Sequence, residues 1–146
     1  MDADFQAKRE RERADTAELL REIPGGPELL TFFGGHVSFH DAEVASLTLD
    51  RAGGSRLVLN VLYGERWVTV AFALHQWIDV DLKGFSHQNV IYGLMIQRAG
   101  GREIHSLERG VGLEPGDFEL ILEPCFGAYG SIRAGIAKIE FLDGKT

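Results

Sequence analysis

The chain has 146 residues, with 15 basic and 22 acidic side chains and a formal charge of −7. That length suits one domain with one core; a hydrophobic fraction of 45% and a charged fraction of 25% exclude a disordered chain. The acidic balance excludes nonspecific nucleic-acid binding, which draws on clustered lysine and arginine.

In chain order, residues from about Asp4 to Ile23 hold good helix formers without glycine or proline. Opposite charges fall four apart, Lys8 with Glu12 and Arg11 with Asp15. Apolar residues gather only at Ala17, Leu19, Leu20 and Ile23, so the last turns alone have a face to bury. Pro24, Gly25 and Gly26 end the helix, and Pro27 suits the start of a second short one over Glu28 to Phe33. From Val37 the period changes to two. Leu47 and Leu49, Leu57 to Val61, Val68 to Phe72, Ile78 to Leu82 and Phe118 to Leu122 alternate with polar or small residues. Ile132 continues the pattern and, after a phase shift, so does Ile136 through Phe141.

Val90 to Ile96 is more evenly apolar and suits a strand covered on both faces. Turn signals separate these runs at Arg51–Gly54, Tyr63–Arg66, Arg98–Gly101, Glu114–Gly116 and Gly127–Gly130. The tetrad Arg-Ala-Gly-Gly occurs twice, at 51 and 98, as hairpin-turn chemistry. The expected fold is mainly β in the α+β class. An antiparallel meander forms a barrel or a sandwich, preceded by one or two N-terminal helices. Residues 1–146 read as one domain, with a helical segment over 1–35 and a β body over 36–146.

The N-terminal residues lack the apolar core of a secretory signal, and no apolar run is long enough to span a membrane. Cys125 is the single cysteine, so no internal disulfide forms and a cytoplasmic location is expected. With no histidine or helix N-terminus beside it, Cys125 reads as inert and mostly buried. His36 and His40 sit on extended chain about 13 Å apart, too far to share an ion. Gly110, Gly112 and Gly116 miss the dinucleotide fingerprint. No metal, cofactor or catalytic residue is therefore assigned.

The most chemical face is on the run from His75 to Lys83. As a strand it turns His75, Trp77, Asp79, Asp81 and Lys83 outward and Ile78, Val80 and Leu82 inward. Asp79 and Asp81 would have α-carbons about 6.6 Å apart, near enough for acid–base work with His75 or for an acidic recognition strip anchored by Trp77.

At Phe39-His40-Asp41-Ala42-Glu43-Val44 the chain resembles the immunity protein 50 family of bacterial polymorphic toxin systems. The resemblance continues through Leu47 and Leu49, Val70 and Phe72, Leu82-Lys83-Gly84-Phe85 with Asn89, Val90 and Ile91, and the final Gly127 to Ile136. It covers about Phe39 to Phe141 and leaves the charged helix outside. It implies a mostly β fold and a protein that protects its own cell by binding a cognate toxin, and it brings no catalytic residues. In the residues themselves, Phe39 reads as core, and His40 and Asp41 as a polar latch between helices and sheet. Glu43 opens the first strand. Asn89 is suited to satisfying loop backbone groups.

The expected function is a non-enzymatic, cytoplasmic immunity protein of a toxin–antitoxin pair. It would neutralise a protein toxin, a basic nuclease being one candidate, through an acidic sheet surface formed by Trp77, Asp79, Asp81 and His75. It would bind no nucleic acid and no membrane, and the reading is compatible with a homo-oligomer. Two rivals are a small-ligand barrel lined by Phe72, Trp67 and Tyr92, and a hydrolase using Asp79, Asp81 and His75.

Overall fold

The computed structural model describes residues 3–99 and 117–145. Two helices, α1 (Ala3–Leu20) and α2 (Gly26–Phe32), precede β1 (Glu43–Thr48), β2 (Arg56–Tyr63), β3 (Arg66–Lys83), β4 (Val90–Arg98), β5 (Phe118–Phe126) and β6 (Tyr129–Asp143). The strands form a closed barrel in the order β1-β2-β3-β6-β5-β4. This settles barrel over sandwich. Each half is an antiparallel meander, and β3 and β6 join the halves.

The two-residue alternation places its apolar members inside, as expected. Leu57, Leu59, Val61, Val68, Val70, Phe72, Ile91 and Ile132 have no exposed surface, so the lumen they line has no room for a water-sized probe. Two irregularities mark where the pattern bends. The phase shift expected before Ile136 falls just after it, as a bulge at Ala137, since Ile136 pairs with Leu74 and Lys138 with Ala73. Val68–Phe72 and Ile78–Leu82 belong to one 18-residue strand, β3, because no glycine or proline interrupts them. Its own bulge falls between His75 and Asp79. Leu49 departs from expectation: it lies past the end of β1 and is exposed.

The helices share the barrel's core, to which Ala17, Leu20, Ile23, Leu29, Leu30 and Phe33 all belong. α1 covers β4, with Thr16 Oγ1 accepting the Ile96 N–H at 3.3 Å. Arg9 bonds Glu123 on β5 at 2.8 Å, and this bond is the main reason its pKa is raised. Arg9 also reaches Glu12; the Lys8–Glu12 and Arg11–Asp15 pairs read from spacing are not among the described ion pairs. Arg9 faces the sheet, so Glu12 turns toward it and away from Lys8. The turn between the helices presses on β6, where the Ile139 N–H donates to the Pro24 carbonyl at 2.7 Å. A Cβ on Gly25 would stand 1.9 Å from the Ile139 oxygen, at a φ of +88°; only glycine fits there.

The barrel closes on one ladder pair, Glu43 with Val90. Around it lie Asp41 N–H to Ile91 O, Ile91 N–H to Ala42 O and Val44 N–H to Asn89 O. Asp41 adopts a φ of 62° to do this, a conformation that aspartate tolerates better than most residues. Asn89 supports the seam from below. Its Oδ1 accepts the Ser86 and Ala128 N–H groups, each at 2.9 Å, and its Nδ2 donates to Ser86 O at 2.8 Å.

Asn89→Ala should lower stability by about 2–4 kcal/mol, because it strands the N–H of a fully buried Ala128. Ser86→Ala, which loses only exposed hydroxyl contacts, should change it by under about 1 kcal/mol. Urea denaturation of the two variants checks this. Phe72→Ala should cost about 3–5 kcal/mol in the same assay.

Candidate functional site

The outward side chains of the central sheet form rows across the strands, because cross-strand partners in a register share a face. One row runs Gln97 on β4, Glu119 on β5, Arg133 on β6 and Asp79 on β3. Gln97 Nε2 donates to Glu119 Oε1 at 2.5 Å, and Arg133 pairs with Asp79. Glu119 is only 2% exposed, whereas the Asp79 side chain is 47% exposed. The polar ladder is thus buried at its centre and open at its β3 end. The next row ends the same way, with Met95, Ile121 and Ser131 leading to Asp81, whose partner is Lys83 at 3.1 Å.

Aromatic rings flank these ion pairs. Trp77 is 49% exposed at the β3 bulge. Tyr129 stands opposite Lys83, and Phe85 and Phe126 are more than half exposed. Phe85 and Phe126 each adjoin one of two glycines, Gly84 and Gly127, that nearly touch: a Cβ on Gly84 would lie 2.8 Å from the Gly127 carbonyl oxygen. Exposed aromatic side chains around charged pairs have the composition of a protein-recognition surface.

Trp77, Asp79 and Asp81 therefore share the outer face of β3, as the alternation implies. His75 is exposed on the same strand, but its ring lies over β6. A Cβ on Gly135 would meet His75 Nε2 at 2.7 Å and Asp117 Oδ1 at 3.1 Å. The expected acidic strip is ion-paired: Asp79 pairs with Arg133, and Asp81 with Lys83 on the same face. The ligand cavity is corrected. Phe72 is in the core, while Tyr92 is exposed on the outer face under Arg9 and Trp67 lies outside beneath Lys145.

A second group sits apart, at the β1–β4 seam. Phe39 is buried. His40 Nδ1 is 2.9 Å from the Tyr92 carbonyl oxygen, and its Nε2 is 3.6 Å from Asp41. Glu43 pairs with Lys145 at 3.0 Å, and Asn89 pins the loops as described. All five act on the join between strands. Cys125 is exposed, contrary to expectation: Pro124 pairs with Ile91 and Phe126 with Val90, so Cys125 is the extra residue of a bulge in β5. No group of three or more His, Cys, Asp or Glu is placed to hold a metal among the described residues. No helix among them is long and apolar enough to cross a membrane. The turn at Gly100 and Gly101 and the glycines at 110, 112 and 116 lie outside the described residues.

Arg133, Glu119 and Gln97 were not singled out by sequence reasoning. The signal that finds them is register: once β3 and β6 are aligned, Arg133 falls opposite Asp79. Comparison with protein-family models finds no match, and comparisons with curated proteins and with solved structures find none either. The resemblance to the immunity protein 50 family accordingly rests on its short motifs alone.

Arg133→Ala should destabilise the fold by about 2 kcal/mol, since it removes the cation that stands opposite the buried Glu119. Asp79→Ala, at the exposed end of the row, should cost under about 1 kcal/mol. Thermal or urea unfolding of both distinguishes a ladder anchored at its centre from a set of independent surface pairs.

Proposed function

We propose that the protein is a non-enzymatic, immunity-type protein that binds and neutralises a cognate toxin protein through the outer face of β3 and β6. The observation that carries this reading is the exposed Trp77 beside the Asp79–Arg133 and Asp81–Lys83 pairs. A large, rigid aromatic ring next to ion pairs is the usual make-up of a binding hot spot. The local charges balance, so they fix orientation, while the overall −7 steers a basic partner such as a nuclease toward the chain. The family resemblance supports the same conclusion and favours the cytoplasm, where an immunity protein meets its toxin. The role of the seam residues Phe39, His40, Asp41, Glu43 and Asn89 is to hold the barrel that presents this face.

The test is co-expression with the toxin-domain product of the neighbouring gene, followed by isolation of the complex. The expected result is restored growth and a stable complex. Trp77→Ala should weaken that complex at least 30-fold, the effect of losing a hot-spot anchor of about 2 kcal/mol. His36→Ala, off this face, should leave it unchanged. Absence of both rescue and complex contradicts the reading, as does a Trp77→Ala variant that binds normally.

A further inference from the structure

The β3 strand is longer than its neighbour β2. Their pairing ends at Arg56 with Ala73, and the last bond along that edge joins the Leu74 N–H to Ser55 O at 2.8 Å. From there to Lys83, β3 is paired on its other side only, to β6, and regularly so from Asp79 to Lys83. Among the described residues no backbone group meets this second edge. A strand edge of this kind offers alternate N–H and C=O groups to another chain. Its side chains are sorted for such pairing: Ile78, Val80 and Leu82 are half-buried against the core, and Trp77, Asp79, Asp81 and Lys83 face out.

The polar ladder says what kind of strand fits. Read across the sheet, Glu119, Arg133 and Asp79 alternate acid, base, acid and stop at the open edge. The next side chain in that row, on a strand added beside β3, continues the alternation if it is basic. A second copy of this chain meets the requirement in one register and at a cost. Two β3 edges set antiparallel about Asp81 put Lys83 opposite Asp79 but Asp81 opposite Asp81, and about Asp79 or Val80 they put aspartate opposite aspartate with no base opposite Asp79, so a segment with a base opposite Asp79 and no acid opposite Asp81 fits better.

We propose that the Asp79–Lys83 edge of β3 receives an extended segment of the partner protein as an added strand, with aliphatic residues inward and a basic residue opposite Asp79. This rests on the reading of the outer face of β3 and β6 as the partner surface, and it adds that recognition there runs through the backbone.

The probe is a seven-residue peptide of alternating lysine and valine, titrated calorimetrically into the intact protein at fixed ionic strength. Two further peptides carry backbone N-methyl groups at the odd or at the even positions, with charge and side chains unchanged. An added strand turns one set of N–H groups toward β3 and the other away. The expected result is that one methylated peptide loses at least tenfold in affinity and the other keeps it, and that Asp79→Asn weakens the parent peptide several-fold. Equal binding of both methylated peptides overturns strand addition while leaving side-chain recognition by the outer face intact. No binding of the parent peptide overturns it as well, and the toxin complex then judges the outer-face reading on its own.

Discussion

A sheet becomes a barrel only when its first and last strands satisfy each other's backbone groups, and here that join is a single ladder pair between Glu43 and Val90. So short a seam holds because the chain on either side of it is fixed. Asp41 turns into a left-handed conformation and donates across to Ile91. Asn89 ties the loop after β3, the turn after β5 and the start of β1 into one hydrogen-bonded knot. α1 then lies along β4 beyond the seam and receives the Ile96 N–H through Thr16. The charged N-terminal helix is therefore part of the wall: it covers backbone of β4 that β1 is too short to reach.

That closure determines what remains available for function. With the lumen packed and α1 laid over β4, a set of exposed charged and aromatic side chains is left on β3 and β6 among the described residues. There the sheet carries its polar ladder, buried at Glu119 and exposed at Asp79. β3 outruns β2 at the same place, so the exposed end of the ladder coincides with an edge that is unpaired among the described residues. The aromatic rings at Trp77 and Tyr129 flank that edge along the strand direction.

Much of the fold is legible in the residues, because period-two alternation directly reports which side chains face a core. A phase shift in β6 is legible too, though it is read between Ile132 and Ile136 and the bulge lies just after Ile136, at Ala137. The helix ends follow from Pro24, Gly25 and Pro27. Pairing is not legible in this way. Nothing local to Asp79 reveals Arg133, 54 residues on, or that β3 pairs with β6 and not β4. The acidic strip is only partly legible for that reason: Lys83 is readable on the same face as Asp81, but the cation beside Asp79 comes from another strand. Trp67 and Tyr92 were likewise assigned to a lumen because aromatic content carries no information about which face a ring occupies. Cys125, flanked by Pro124 and Phe126, looks like core because a bulge that depends on the pairing with β4 is not visible in the sequence.

On the proposed reading the partner docks on β3 and β6, away from the helical cover of β4. Amide hydrogen exchange, measured on the protein alone and with the toxin that it rescues in co-expression, is the direct test. Slowed exchange concentrated in residues 77–83 and 129–133, with α1 and β4 unchanged, is the expected result. Slowing confined to α1 and β4, with β3 exchanging as in the free protein, would contradict it.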